Sequence, residues 1–135
     1  MGENTDRNPL ILLMDGNGQR RSSMSRLLSR TGYRVAEAPT VREGVRRARE
    51  LAPNLILLEA NLSDLAGVEV CQHIQAQLVP ANPSVFLISD LETSLDDQSE
   101  GLEPGADDHI VWPISDHELL ARVRKKEYLF TIKCL

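Results

Sequence analysis

The sequence predicts an α/β fold in which a five-stranded parallel sheet is covered by helices on both faces. Short apolar runs without polar alternation are typical of strands that are buried on both sides. The segments between these runs carry one-sided apolar stripes at a spacing of three to four residues, which is typical of surface helices. Because the two kinds of segment alternate along the chain, we expect right-handed crossovers and a doubly wound sheet.

Five strands and five helices are expected in turn. The strands are predicted at residues 10–14, 33–38, 55–58, 85–88 and 109–112. Thr40 with Glu43, and Ser115 with Glu118, have the spacing of a capping box and predict the starts of the second and last helices. The predicted fourth helix, at about 95–103, has the weakest pattern because it contains few apolar residues. Residues 1–8 are expected to be a disordered polar segment, 9–130 one domain and 131–135 a tail.

The composition of the 135 residues excludes several classes of protein. With 41% hydrophobic and 26% charged residues the chain is not expected to be disordered, and 4% aromatic residues leave few rings for the walls of a cofactor site. The longest apolar run, 10–14, is far shorter than the roughly 20 residues that a bilayer requires. The two cysteines have no metal-ligand spacing and form no disulfide framework. The polar N-terminus has no signal-peptide pattern, so a cytoplasmic location is expected.

The charges are distributed unevenly along the chain. The net charge is −5, yet nine arginines lie between residues 20 and 49, and residues 50–121 contain fourteen acidic residues and no lysine or arginine. The molecule is therefore expected to be electrically two-sided. The arginines fall on two predicted amphipathic helices, so we favour a solvated basic face over a nucleic-acid site. No nucleic acid or membrane is expected as a partner.

Four stretches of the chain resemble the receiver domains of bacterial two-component signalling, over about residues 9–126. They are LLMD at 12–15, PNLILLE at 53–59, GLEPGADD at 101–108, and WP at 112–113 followed by ELLARV at 118–123. The resemblance implies a flavodoxin-like, CheY-like (βα)5 fold with strand order 2-1-3-4-5. It also implies a signalling module rather than an enzyme, with a histidine kinase, an output domain or another signalling protein as its partner.

The phosphoryl site of that family is matched only in part. Receivers hold Mg²⁺ with two adjacent acids and a phosphoaccepting aspartate, and they grip the phosphoryl group with a hydroxyl and a lysine. Asp15 and Ser89 match this pattern. Gly16 stands in place of the second acid, Glu59 in place of the acceptor and Trp112 in place of the lysine.

The resemblance therefore points to a pseudo-receiver, in which phosphoryl chemistry is disabled. No lysine occurs before Lys125, so none lies at the end of the fifth strand, and we expect the cleft to lack a cationic side chain. Loss of one such electrostatic group typically costs about 10²–10³ in rate. Asp15, Glu59 and Asn61 are expected to bind Mg²⁺ weakly if at all, and no other cofactor is expected.

Glu59 has two interpretations. Its carboxylate could reach toward Ser89 and mimic a phosphorylated acceptor, or it could be a solvated side chain at a strand end. We favour the second interpretation, because one carboxylate charge is less than the charge of an acyl phosphate.

Three further residues follow or belong to the last strand. Trp112 could plug the acid pocket, anchor a partner or simply pack at the strand end, and its bond to Pro113 is expected to be cis, as the resemblance implies. His109 occupies the position of a switch aromatic in receivers, where an imidazole would make the surface sensitive to pH. An ordinary surface histidine is the favoured interpretation of His109.

Ser89 with Asp90, after the fourth strand, is either a switch hydroxyl beside an acid or a turn.

Two alternative functions and one interface remain open. The loop from Gly16 to Ser23 could cradle a flavin or nucleotide phosphate, although its spacing fits no nucleotide fingerprint. A conventional receiver would need Glu59 or a displaced acceptor such as Asp64. By resemblance, the contact face for a partner or a homodimer is formed by the predicted fourth helix, the fifth strand and the last helix. Its residues are the acidic stretch 96–108 together with Arg122, Arg124, Lys125 and Lys126.

Overall fold

The described part of the computed structural model comprises residues 8–62, 67–77, 83–91 and 106–134, and alternates strands with helices. The strands are β1 (Leu10–Met14), β2 (Arg34–Ala38), β3 (Leu55–Glu59), β4 (Ser84–Asp90) and β5 (Asp108–Trp112). The helices are α1 (Gly18–Arg30), α2 (Val41–Leu51), α3 (Gly67–Gln77) and α4 (Asp116–Cys134). Every predicted strand is present, with bounds that differ from the prediction by at most two residues.

The five strands form one parallel sheet in the order β2-β1-β3-β4-β5. This confirms the predicted topology of a doubly wound sheet. The register pairs Met14 with Leu58 and Glu59 with Ile88, and it pairs Asp90 with Trp112 at the other side of β4. The carboxyl ends of β1, β3, β4 and β5 therefore lie side by side.

Apolar residues of the sheet pack on both faces, because successive strand side chains point to opposite sides. One face packs against α1 and α4 and includes Leu13 and Leu57. The other packs against α2 and α3 and includes Leu12 and Ile56. Burial on both sides explains why the central strands are continuous apolar runs.

The helix starts use side-chain caps, as the sequence predicts for two of them. The Oγ1 atom of Thr40 accepts a hydrogen bond from the Glu43 amide, and Ser115 Oγ accepts one from the Glu118 amide, both at 3.1 Å. The Glu43 carboxylate pairs with an arginine of its own helix rather than completing the predicted box. The cap of α1 is Asn17, which the sequence pattern did not predict.

The structure describes residues at both ends of the domain. The last helix continues to Cys134 and therefore extends through most of residues 131–135, which the sequence assigns to a tail. Asn8, assigned to the disordered segment, donates a hydrogen bond from its side chain to the Gly32 carbonyl at 2.8 Å. Residues 1–7 and the predicted helix at 95–103 lie outside the described residues. Among the described helices, none combines the length and the apolar character that crossing a bilayer requires.

Candidate functional site

The side chains that follow the strands meet in one cleft at the carboxyl edge of the sheet. Asp15 follows β1, Glu59 ends β3, Ser89 and Asp90 end β4, and Trp112 ends β5. This is the edge at which doubly wound sheets place their functional sites. The arrangement of these site residues is therefore the one that the sequence predicts.

Asp15 is the most deeply buried acid of this cleft, with no exposed surface. One carboxylate oxygen, Oδ1, accepts hydrogen bonds from the Asn17 amide at 2.8 Å and from Nη2 of Arg20 at 2.9 Å. The other, Oδ2, accepts from Nε of Arg20 at 2.6 Å. The pair is bidentate, which is the strongest geometry for an arginine and a carboxylate.

Arg20 also reaches the other acids of the cleft. Its side chain is 4% exposed, its Nη1 atom lies 2.8 Å from Oδ1 of Asp90, and its Nη2 lies 3.5 Å from Oε2 of Glu59. The carbon of the guanidinium lies 5.9 Å from the centre of the Trp112 ring, within the range of a cation–π contact. The hydrogen bond to Asp15 raises the pKa of Arg20 most, against the lowering effect of burial.

Two expectations from the sequence are therefore wrong. The cleft contains a cationic side chain, and Arg20 does not belong to a solvated basic face. The signal that could have found it is helical spacing. Arg20 precedes Met24 by four residues, and the buried side of α1 consists of Arg20, Met24, Leu27 and Leu28. A charged residue on the apolar stripe of a helix requires a buried partner, and the neighbouring Asp15 supplies it.

A second arginine fastens the loop that carries Asp15. Arg21 donates from Nη1 to the Asp15 carbonyl at 2.7 Å and from Nε to Glu37 at 2.9 Å. The Asn17 side chain accepts from the Arg20 amide at 3.0 Å. The Arg20 amide and the guanidinium groups of Arg20 and Arg21 are thus engaged within the chain, and the loop from Gly16 to Ser23 is mostly helix.

Glu59 is directed at the loop after β1. Its Oε1 accepts a hydrogen bond from the Gly16 amide at 2.8 Å. Burial raises the pKa of Glu59, the bond from Gly16 opposes that rise, and the nearby Asp15 raises the pKa further. The carboxylate is half-buried and partnered, so it is not the solvated strand-end side chain of the favoured interpretation.

Ser89 is engaged by the imidazole of His109. Ser89 is 3% exposed, and its Oγ lies 2.8 Å from Nε2 of His109. His109 is only half-buried, yet it is part of this pair, so the interpretation as an ordinary surface residue is wrong. A Glu59 that mimics a phosphorylated acceptor is expected to reach toward Ser89. In the structure Glu59 instead accepts a hydrogen bond from the Gly16 amide, and Ser89 is bonded to His109.

The residues predicted to hold Mg²⁺ do not fit that ion in this arrangement. Both carboxylate oxygens of Asp15 are bonded to Arg20, and the exposed Asn61 forms no hydrogen bond with the carboxylates in the described part of the chain. A divalent ion bound about 2.1 Å from an oxygen of Asp15 would be repelled by the positive charge of the Arg20 guanidinium. Within the described ranges, no group of three or more acidic, histidine or cysteine side chains is arranged around a metal position.

Trp112 packs at the end of the last strand, beside Arg20 of the cleft. It is half-buried against the core beside α1 and α4, and its ring faces the Arg20 guanidinium. The packing interpretation therefore applies to it. The peptide bond between Trp112 and Pro113 is cis, as predicted.

The predicted interface is only partly described. Arg122 is half-buried and pairs within its own chain with Asp108 at 2.9 Å and with Glu118 at 3.1 Å. Arg124 and Lys125 are exposed on α4. Most of the acidic stretch that completes this face, and Asp64, lie outside the described residues.

Known proteins share both the sequence pattern and the fold. The family model of the response regulator receiver domain matches residues 11–124. The transcriptional regulatory protein AfsQ1 of Streptomyces coelicolor is 34% identical, over 86% of this chain and 50% of its own length. The transcriptional regulatory protein PrrA of Mycobacterium tuberculosis is 35% identical, over 86% and 48%. The chain spans about half the length of the curated relatives it matches.

Solved structures show the same architecture. A receiver domain from Clostridium thermocellum matches 92% of this chain and 98% of its own with a TM-score of 0.79 at 17% identity. A CheY-like receiver from Methanospirillum hungatei matches 88% and 93% with a TM-score of 0.71 at 24% identity. The family model over residues 11–124 and the relatives at 34–35% identity identify the family, and the solved structures share its fold. The chain belongs to the response regulator receiver domains of two-component signalling.

Proposed function

We propose that this chain is a pseudo-receiver, which signals through protein contacts without accepting a phosphoryl group. The observation that carries the proposal is the bidentate pair of Arg20 and the buried Asp15, with further contacts to Glu59 and Asp90. One side chain of the protein thereby supplies the positive charge of the cleft.

Arg20 competes with the divalent ion that phosphoryl transfer requires. Receivers need such an ion beside the acceptor, and an ion there must displace a guanidinium that forms three short contacts with two carboxylates. Breaking a buried ion pair costs about 3–5 kcal/mol. Mg²⁺ binds one or two carboxylates only weakly, so its binding free energy does not offset that cost.

The groups at the reacting positions are also engaged. Glu59 stands at the acceptor position and its Oε1 is held by the Gly16 amide. Trp112 replaces the cation that would stabilise the transferred group, and its ring packs in the cleft. Ser89 is bonded to His109 rather than standing open to a phosphoryl oxygen. Each of these contacts favours a silent site over a permanent mimic of the phosphorylated state.

The proposal is tested by incubating the protein with acetyl phosphate and Mg²⁺ and measuring its intact mass. We expect no phosphoryl adduct. The matched control is a rebuilt variant, Gly16→Asp with Arg20→Met, Glu59→Asp and Trp112→Lys, whose folding is checked by circular dichroism and which is expected to gain one phosphoryl group. An adduct on the unaltered chain, at Glu59 or at a displaced acceptor such as Asp64, overturns the proposal.

The alternative of a flavin or nucleotide site in the loop from Gly16 to Ser23 is disfavoured by the contacts of that loop. The Asn17 and Arg20 amides bond to side chains of the chain itself, and Arg20 and Arg21 are both paired. A phosphate would also meet the negative charge of Asp15. A shift in melting temperature with flavin mononucleotide would revive this alternative.

The partner of the module is expected to be a histidine kinase, an output domain or a second copy. The family resemblance implies such contacts at Arg122, Arg124 and Lys125. Because Arg122 is already paired with Asp108 and Glu118, the exposed Arg124 and Lys125 are the residues available to a partner there.

A further inference from the structure

A groove between α2 and α3 combines an apolar floor with a basic rim. Its volume is about 710 Å³, and Val41 and Val45 of α2 line it together with arginines of the same helix. His73 of α3 lies on the opposite side and is exposed. The groove is separate from the cleft at the carboxyl ends of the strands, so its binding properties do not depend on the proposed loss of phosphoryl chemistry.

The basic rim contains charge that the described residues do not neutralise. Arg46 pairs with Glu43 at 2.7 Å and with Glu50 at 3.3 Å. Arg42 and Arg49 are exposed and form no ion pair with any residue in the described part of the chain. Two guanidinium groups are thus available beside the two valines.

The chemistry of the groove favours a peptide over a nucleic acid. Single-stranded nucleic acids bind where aromatic rings stack on bases along a basic surface. The described residues that line this groove include no phenylalanine, tyrosine or tryptophan, and Glu50 lies among the arginines. An occupant that suits it has acidic side chains for the rim and an aliphatic side chain for the floor.

The chain itself contains a segment of that chemistry. Leu91, the residue directly after β4, is 54% exposed. Residues 92–103 come directly after it and contain five acidic residues and no basic one. We infer that the groove between α2 and α3 binds the acidic segment 91–103 of a second copy of this chain.

The geometry of this contact is head-to-tail. The groove and the acidic segment are different surfaces, so each molecule has one of each left over after a single contact. Association is therefore expected to grow with concentration instead of stopping at a closed dimer. It is also expected to depend on salt, because complementary charges act mainly on the rate and specificity of association.

The test is sedimentation velocity of the full chain over a series of concentrations, in about 0.05 M and about 0.5 M NaCl. We expect the weight-average sedimentation coefficient to rise with concentration at low salt and to fall to the monomer value at high salt. A groove variant, Arg42→Gln with Arg49→Gln, and an acidic-segment variant, Asp96→Asn with Asp97→Asn and Glu100→Gln, should each remain monomeric.

Mixing the two variants distinguishes this contact from one in which a single surface binds its own copy. The groove variant retains an intact acidic segment and the other variant retains an intact groove, so the mixture should form a one-to-one pair that does not grow further. The matched control is Arg26→Gln with Arg30→Gln on α1, which removes the same charge from exposed positions and should leave association unchanged.

Three outcomes would overturn the inference. The unaltered chain could remain a monomer at all concentrations, the groove variant could associate as well as the unaltered chain, or the mixture could fail to pair. Association that is abolished by Arg124→Glu but not by the groove variant would assign self-association to the face of α4 instead.

Discussion

Arg20 on α1 and Arg42 on α2 belong to the same arginine-rich part of the sequence, yet they lie in opposite environments. The Arg20 side chain is 4% exposed and bonded to two carboxylates, whereas Arg42 is exposed and forms no ion pair with a described residue. The difference teaches that an arginine-rich composition does not by itself indicate a solvated face. What matters is whether the arginine falls on the buried side of its helix.

The buried sides of the two helices explain the contrast. On α1 the buried side begins with Arg20, so its guanidinium enters the cleft beside Asp15. On α2 the buried residues are Gly44 and Ala48, and the arginines lie elsewhere on the helix. Burial of a charge is tolerated only where partners surround it, and the ends of β1 and β4 supply the carboxylates.

The largest effect is expected from Arg20→Met. The substitution leaves Asp15 buried without its partner, so the free energy of unfolding should fall by about 3–5 kcal/mol. Arg42→Met removes the same charge at the surface and should change it by no more than about 0.5 kcal/mol. Urea denaturation of both variants measures the difference.

A double variant sharpens this comparison. Asp15→Asn combined with Arg20→Met removes both charges and should lose less stability than Arg20→Met alone, because no uncompensated buried charge remains. Equal losses for Arg20→Met and Arg42→Met would contradict the buried ion pair.

A smaller loss is expected from Gly44→Ala on the buried side of α2. The new methyl group would overlap Sδ of Met14 and lie 2.7 Å from its Cγ, so α2 must move off the sheet or Met14 must shift. Overpacking costs about 1–3 kcal/mol, and the better helix propensity of alanine returns about 1 kcal/mol. Thermal or urea denaturation should show the net loss.

The control for this prediction is Gly18→Ala at the start of α1, where the nearest atom to the new methyl group is Nη2 of Arg21 at 4.0 Å. It should not destabilise the protein. If Gly44→Ala is neutral like Gly18→Ala, close packing of α2 on β1 does not explain why the arginines of α2 lie at the surface.

The smallest effect concerns pH and Glu59. Burial raises the pKa of Glu59 above its ordinary value of 4.5, so the folded state binds this proton more tightly than the unfolded state. The stability contributed by the protonated side chain is therefore lost as pH rises from about 4.5 toward the raised pKa. Glu59→Gln should remove this part of the pH dependence of the free energy of unfolding.

The measurement is the free energy of unfolding of both proteins across that pH window. As pH rises, the free energy of unfolding of the unaltered chain should fall relative to that of Glu59→Gln. A difference that is constant with pH, or that changes in the opposite sense, would contradict the raised pKa.

The sequence predicted the positions of the cleft residues well because each comes after or ends a recognisable strand. Asp15, Glu59 and Ser89 come directly from buried apolar runs, and parallel strands bring their carboxyl ends together. The contacts among them were predicted poorly. The pair of Ser89 with His109 joins residues twenty positions apart on neighbouring strands, and its existence depends on the register of β4 with β5.

The sequence by itself determined the order of strands and helices and two of the helix caps, because these depend on local periodicity and on hydrogen bonds within a few residues. It also determined that Glu59 follows the third apolar run and that no lysine lies at the end of β5. Only the tertiary structure decided that Arg20 fills the cleft. Its contacts with Glu59 and Asp90 join distant parts of the chain, and their strength depends on a burial that exists only once the sheet and α1 have packed together.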